Sequence, residues 1–250
     1  MRILGLDIGS RSVDAVWLED GSVVAAVIAD SGYDPQAVAR SLVERGEHDA
    51  MVATGYGRHA ARDMFGCPVV TEIKAYALGA SRLFPEAASV LDIGGQDTKV
   101  IALGASGKVT DFEMNDKCAA GTGKFLEVMA RALGFELEEM AAASMASERG
   151  VQISSMCTVF AESEVTGLVH RGEDLGAIAR GLHESISRRT LSSLKRVRAV
   201  GPLVFAGGVA KNAAMVGLIC AGFEGDVRIP VEAQTVGALG AALSLNGDSA

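Results

Sequence analysis

Hydrophobic and polar residues alternate along the chain in two different periods, which predict strands and helices. Short apolar runs bounded by glycine are typical of strands, and apolar positions that recur every three or four residues are typical of helices. Strands are predicted at 2–8, 13–18, 22–29, 50–53, 89–93, 97–103, 107–113, 203–206 and 226–229. Helices are predicted at 35–46, 58–65, 72–83, 119–133, 136–147, 158–171, 174–197, from about 210, and at 233–245. Strands that alternate with helices indicate the α/β class.

One supersecondary plan occurs twice in the chain. The succession of strand, glycine turn, strand, turn and strand starts at residue 2 and again at residue 89, and Asp7-Ile8-Gly9 matches Asp92-Ile93-Gly94 residue for residue. A repeat of this kind predicts an internal duplication and therefore two lobes. We expect an N-terminal lobe at 1–86, a C-terminal lobe at 87–232, and a final helix region at 233–250 that packs back on the N-terminal lobe.

Composition and charge exclude some classes of function. The chain has 250 residues, of which 49% are hydrophobic, and its formal net charge is −8. Nucleic-acid-binding proteins usually carry a basic surface, so this charge argues against one. No apolar run approaches the roughly 18 residues that a membrane helix needs. The first residues do not resemble a signal peptide, so we expect a cytoplasmic protein that binds no membrane.

Three glycine turns that follow apolar strands indicate phosphate binding. They are Asp7-Ile8-Gly9-Ser10, Asp92-Ile93-Gly94-Gly95-Gln96-Asp97 and Phe205-Ala206-Gly207-Gly208-Val209. Glycine lets backbone N–H groups approach phosphate oxygens, and a neighbouring carboxylate can hold Mg²⁺. The chain contains neither the Gly-x-x-x-x-Gly-Lys-Ser/Thr loop nor a Gly-x-Gly-x-x-Gly turn after the first strand.

This set of turns resembles the superfamily of actin, sugar kinases and heat-shock-chaperone ATPases. The resemblance implies two duplicated lobes of the actin-like, ribonuclease H-like fold, with ATP or ADP in the cleft between them. The implied nucleotide-binding residues are Gly9, Ser10, Arg11, Ser12, Gly94, Gly95, Gln96, Gly207 and Gly208. Asp7 and Asp92 are the candidates for organising Mg²⁺ and water, and Gln96 is the candidate for orienting the attacking water.

Two of the four cysteines lie at or just before predicted helix starts. Cys118 precedes the helix predicted from 119, and Cys157 precedes the one predicted from 158. The positive end of the helix dipole favours the thiolate, which is the form that binds metal. An incidental capping turn, a redox pair, a zinc site and a catalytic nucleophile are alternatives. Cys67 and Cys220 are expected to be buried, inert thiols.

The cysteine segments resemble the activators of 2-hydroxyacyl-CoA dehydratases and the related ATPase subunits of benzoyl-CoA reductases. The resemblance is carried by Asn115–Gly123, Ser154–Ser163, Thr54-Gly55-Tyr56-Gly57-Arg58, Thr71-Glu72-Ile73 and Asp92–Asp97. It implies a homodimer in which Cys118 and Cys157 of both protomers bind one shared 4Fe–4S cluster. Such a cluster usually takes four Cys thiolates, and one chain offers two in suitable settings.

The implied function is ATP-dependent donation of one electron to a dehydratase or reductase component, with a ferredoxin or flavodoxin as the donor. An iron-free sugar or acyl kinase with the same ATP clamp is the alternative, and a non-redox ATP-driven binding module is a further one. Two positions depart from the family pattern. Lys74-Ala75-Tyr76 stands where Ser-Cys-His is frequent, and Asp14 stands where a lysine is frequent.

Overall fold

The computed structural model describes residues 1–154 and 157–245. Part of the cysteine segment at 154–163 and the end of the predicted 233–250 region therefore lie outside the described residues. The described chain contains two sheets flanked by helices, which confirms the α/β class. Among the described residues, no helix is long and apolar enough to cross a bilayer.

The first sheet has four strands in the order β3-β2-β1-β4. These strands are β1 (Arg2–Ile8), β2 (Ser12–Glu19), β3 (Ser22–Asp30) and β4 (Ala50–Thr54). Strand β1 pairs antiparallel with β2 and parallel with β4. Nearly all residues of β1 and β2 are buried, because helices or loops cover both faces of the sheet's centre.

The second sheet has five strands in the order β7-β6-β5-β8-β9. They are β5 (Ser89–Ile93), β6 (Thr98–Leu103), β7 (Val109–Asn115), β8 (Leu203–Ala206) and β9 (Val227–Arg228). Its first four strands repeat the order and the parallel or antiparallel sense of the first sheet. The repeat extends to the register, since Asp7 pairs with Asp14 and Asp92 pairs with Lys99. The internal duplication is therefore visible in the backbone.

Nine α-helices connect the described strands. They are α1 (Pro35–Val43), α2 (Arg58–Phe65), α3 (Glu72–Leu83), α4 (Gly123–Leu133), α5 (Leu137–Ala146), α6 (Thr158–His170), α7 (Leu175–Arg196), α8 (Ala213–Gly222) and α9 (Val236–Ser244). Several starts are fixed by capping side chains. Asp34 caps α1 ahead of Pro35, Thr71 caps α3 and Asp174 caps α7.

Helices α3 and α9 cross each other between the two sheets. Helix α9 packs on β1, β2 and β4, and α3 also contacts β5, β6 and β7. The crossing is close enough for backbone contact, because a Cβ at Gly240 would overlap the Ala75 carbonyl and a Cβ at Gly79 would overlap the Val236 carbonyl. The pair thus joins the two halves of the molecule. The lobe limits at 86 and 232 stay a prediction.

Two expectations about the helical half were wrong in detail. Helix α4 starts at Gly123 rather than at 119, because residues 116–122 form a loop in which Gly121 has a positive φ of 92°. Cys118 therefore lies five positions ahead of its helix. Cys220 is exposed on α8 rather than buried, whereas Cys67 is buried as expected.

Candidate functional site

A cleft of about 710 Å³ lies between the two sheets. Its lining includes every residue that the glycine turns nominated: Asp7, Gly9, Ser10, Arg11, Ser12, Asp92, Gly94, Gly95, Gln96, Gly207 and Gly208. These residues come from turns that are far apart in sequence and meet because the two sheets face each other. The cleft can accommodate a nucleotide, since ligand sites commonly measure about 300–1,000 Å³.

Each half of the cleft builds the same arrangement of one acid and one glycine. Gly55 follows β4 with φ of 87°, and a Cβ there would collide with Asp7 and with the carbonyl of Ile8. Gly207 follows β8 with φ of 85°, and a Cβ there would collide with Asp92 and with the carbonyl of Ile93. Only glycine suits both the left-handed backbone and the close approach. The turn after β4 is therefore the duplicate of the Gly207 turn.

The glycine turns after β1 and β5, which the sequence nominates as the first and second phosphate turns, close in the same way. The N–H of Gly9 donates to the carbonyl of Ser12 at 2.9 Å, and the N–H of Gly94 donates to the carbonyl of Asp97 at 3.0 Å. Arg11, at the tip of the first turn, reaches across the cleft, and its Nε donates to Glu127 of α4 at 2.7 Å. Its other guanidinium nitrogen pairs with Asp30. Arg11 thus connects the first phosphate turn with the opposite half.

Burial strongly affects the carboxyl groups at the base of the cleft. Burial raises the pKa of Asp7 well above its usual range, and the nearby Asp14 raises it further. Burial also raises the pKa of Asp14 to about 7, although the Ser12 hydroxyl opposes that change. One oxygen of Asp14 and Oδ1 of Asp92 are buried without a hydrogen-bond partner. Such atoms indicate a site that is completed by a cation or a donor from outside.

Lys99 is the buried cation beside these acids. Its Nζ lies 2.9 Å from Asp92 Oδ2, 2.6 Å from Asp97 Oδ2 and 2.9 Å from Glu72 Oε2. Burial alone would lower the pKa of Lys99, but the three carboxylates outweigh it and raise the pKa. Burial raises the pKa of Asp92, and Lys99 opposes that rise. The pair therefore stabilises the charged form of both groups.

The cleft fits Mg²⁺ only together with a ligand. Within 1–154 and 157–245, no three His, Cys, Asp or Glu side chains are close enough to hold a metal ion by themselves. Mg²⁺ in phosphoryl-transfer sites usually takes one or two carboxylates, water and phosphate oxygens. Asp92 Oδ1, buried and without a partner, suits such an ion. Leu126, Leu137 and Met145 also line the cleft, and apolar side chains of this kind suit a nucleobase.

Neither Cys118 nor Cys157 lines the cleft, and both are accessible. Cys118 is partly exposed, and Cys157 is exposed at the N-cap position of α6, where its side chain makes no capping hydrogen bond. Two free thiols at loop positions are half of a four-thiolate set. The donor set therefore fits a cluster only if a second chain supplies the other half.

The Cys118 loop is hydrogen-bonded to the second phosphate turn. The N–H of Gly123 donates to the carbonyl of Gly94 at 2.9 Å, and the N–H of Lys124 donates to that of Gly95 at 2.8 Å. Within the loop, Nδ2 of Asn115 donates to the carbonyl of Cys118 at 2.8 Å. These bonds connect the second phosphate turn with the start of α4 and, through it, with the loop that carries Cys118.

Comparison with known proteins decides the family. The profile of the BadF/BadG/BcrA/BcrD ATPase family matches residues 4–244. The chain belongs to this ATPase family. Members of the family with full-length similarity include the activator of lactoyl-CoA dehydratase from Anaerotignum propionicum, which is 42% identical over 97% of this chain and 96% of its own length. The (R)-2-hydroxyglutaryl-CoA dehydratase activating ATPase from Acidaminococcus fermentans is 40% identical over 96% and 95%.

A solved structure supports the same family assignment. The activator of the 2-hydroxyisocaproyl-CoA dehydratase from Clostridium difficile, which has bound ADPNP, superimposes with a TM-score of 0.89. It is 37% identical and the match covers 98% of this chain and 94% of that one. The actin-like ATPase fold that the glycine turns indicated is therefore confirmed. The family also favours the activator interpretation over the iron-free kinase.

For this member of the ATPase family, sequence reasoning missed several residues of the cleft. Lys99 and Glu72 were not nominated, although Glu72 lies in a segment that the resemblance used and Lys99 lies two residues after another. Gly55 was assigned to a turn but not to the cleft. Lys99 pairs with Asp92 across two neighbouring strands, as Asp14 pairs with Asp7 in the first half. This pairing was the signal that would have located Lys99.

Proposed function

We propose that this protein is an ATP-hydrolysing activator that passes one electron to a dehydratase or reductase acting on a CoA ester. The relatives named as dehydratase activators support the partner class, because their similarity spans almost the whole chain. The nucleotide-bound relative supports ATP as the nucleotide. A ferredoxin or flavodoxin is the proposed electron donor.

The proposal includes a homodimer with one shared 4Fe–4S cluster. Cys118 and Cys157 of each chain would hold it, and when bound it would supply one-electron transfer. The exposure of both thiols supports this, since ligands shared with a second chain must face outwards. Each chain supplies two of the roughly four thiolates that such a cluster needs.

The observation that carries the proposal is the hydrogen-bonded link between the second phosphate turn and the Cys118 loop. Gly123 and Lys124 donate to the turn from the first residues of α4. In an ATP-dependent electron donor the nucleotide state must alter the surroundings of the redox group. An iron-free kinase would have no need for such a link to a cysteine loop.

In the proposed mechanism, the cleft residues organise hydrolysis. Asp92 and Asp7 would bind and orient Mg²⁺ and water, and Gln96 would position the attacking water. The glycine turns allow close approach of the phosphates, and the closed cleft limits the access of bulk water. Positioning and electrostatics account for most of the catalysis of phosphoryl transfer.

Iron analysis with mass measurement on anaerobically purified protein tests the proposal. We expect about four iron atoms per dimer, and almost complete loss of iron in Cys118→Ala and in Cys157→Ala, because symmetry removes two ligands each time. Cys220→Ala is the matched control, since Cys220 is also exposed, and it should keep its iron. Four iron atoms on a stable monomer, or full iron in either ligand variant, would refute the shared cluster.

A further inference from the structure

The duplicated register places Lys99 at the position that Asp14 occupies in the first half. Asp14 pairs with Asp7 across β1 and β2, and Lys99 pairs with Asp92 across β5 and β6. One candidate catalytic acid thus faces another carboxyl group, whereas the other faces an ammonium group. The two acids of the cleft are therefore not equivalent.

Three carboxylates surround the Lys99 ammonium group. The side chain is 3% exposed, and its Nζ contacts Glu72 at the start of α3, Asp92 at the end of β5 and Asp97 in the second phosphate turn. Two of the three donors of the ammonium group make hydrogen bonds, to Asp92 and Asp97, and Glu72 completes the set as an ion pair. A buried charge with this set of partners has little freedom to move.

This contact determines which oxygen of Asp92 is available. Lys99 binds Oδ2 at 2.9 Å. Oδ1 is buried, has no partner, and lies against Gly207 at the edge of the cleft. A buried carboxylate oxygen without a donor is unfavourable, so Oδ1 is the atom prepared to meet an incoming cation or water.

We propose that Lys99 is a positioning residue for ATP hydrolysis, which holds Asp92 by Oδ2 so that Oδ1 faces the cleft. Through Glu72 it also fixes the start of α3 to the second phosphate turn. The inference rests on the proposed nucleotide site. Without the ammonium group, three neighbouring carboxylates would repel each other, and Asp92 would lose its fixed orientation.

The test compares Lys99→Met with Lys108→Met in the full-length protein. Methionine keeps much of the length of the side chain and removes the charge, and Lys108 is an exposed lysine in the turn between β6 and β7. The readouts are kcat and KM for MgATP, and the Kd of the non-hydrolysable analogue ADPNP by calorimetry. We expect kcat to fall about 100-fold in Lys99→Met, as for loss of a preorganised electrostatic group. KM and Kd should stay within about threefold, and Lys108→Met should match the wild type.

Unchanged kcat in Lys99→Met would overturn the inference. A raised KM with unchanged kcat would also overturn it, because Lys99 would then stabilise the bound substrate and the transition state equally. If Lys99→Met does not fold, Glu72→Gln decides, because it removes the charge of one Lys99 partner without changing a phosphate turn. It should lower kcat about tenfold with little change in KM, and unchanged kcat would overturn the proposal. Two results separate the levels: full activity in Asp92→Ala would remove Asp92 from the mechanism, whereas absence of ADPNP binding by the wild-type protein would refute the nucleotide site itself.

Discussion

Replacing Gly123 by proline would remove one of the two hydrogen bonds that join the second phosphate turn to the start of α4, while keeping the helix. Gly123 is the first residue of the helix, where proline is well tolerated. Thr122 before it has φ of −120° and ψ of 171°, which a following proline accepts. The variant removes the N–H that donates to the Gly94 carbonyl at 2.9 Å. It also places the proline ring against that carbonyl.

The size of the effect follows from that single hydrogen bond. Leaving the Gly94 carbonyl without its donor costs roughly 1–3 kcal/mol. For a chain of this length, each kcal/mol corresponds to about 2–4 °C in Tm, so we expect Tm to fall by about 2–12 °C. Gly123→Ala is the matched control, because it keeps the N–H and adds a Cβ 3.1 Å from the same carbonyl oxygen.

The assay measures how nucleotide changes the reactivity of Cys118. Iron-free protein is alkylated with iodoacetamide with and without ADPNP, and the rate at each cysteine is followed by mass spectrometry, with the exposed Cys220 as internal reference. In the wild type and in Gly123→Ala, ADPNP should change the rate at Cys118. In Gly123→Pro the difference between the two rates should be smaller, because one of the two hydrogen bonds to the turn is lost. An undiminished nucleotide effect in Gly123→Pro would refute the coupling through α4.

Two further predictions concern the cleft and its support. Gly207→Ala should abolish nucleotide binding by calorimetry, because its φ is positive and its Cβ would meet Asp92. Gly217→Ala, on α8 outside the cleft lining and with open space around its Cβ, should bind normally; equal affinities would contradict this. Burial lowers the pKa of His183 below 6.5. As the pH falls, the imidazole of His183 is therefore protonated in the unfolded chain before it is protonated in the folded one, and the free energy of unfolding should fall below about pH 6.5. In urea titrations, His183→Gln should reduce this dependence of the unfolding free energy on pH. An unchanged dependence would show that His183 does not cause it.

The fold and the nucleotide turns were predictable because they depend on local sequence. Glycine after a buried strand is needed wherever the backbone must adopt a positive φ or approach another strand, and the repeat of Asp7-Ile8-Gly9 at Asp92 exposes the duplication. These requirements can be read directly from the sequence. The elements followed from the same periodicity, with errors of a few residues at their ends.

Other features depend on contacts that one stretch of sequence does not contain. Lys99 in a strand could equally have been an exposed lysine, and it is the approach of Asp92, Asp97 and, from α3, Glu72 that makes it a buried centre of charge. The loop before α4 reads as helix, but side-chain bonds from Asn115 and Thr98 hold the carbonyls of Cys118 and Gly121 in another conformation. Tertiary contacts there override local helix propensity.

The backbone contact between α3 and α9 limits how the two halves of this ATPase can move. At Gly79 and Gly240 the facing chains leave no room for a methyl group, so sliding one helix along the other would drive the Cβ of a neighbouring residue into a carbonyl oxygen. Turning about the crossing point keeps those contacts nearly unchanged. The crossing therefore favours rotation of one half against the other over sliding, and such a rotation displaces most the parts of each half that lie farthest from Gly240.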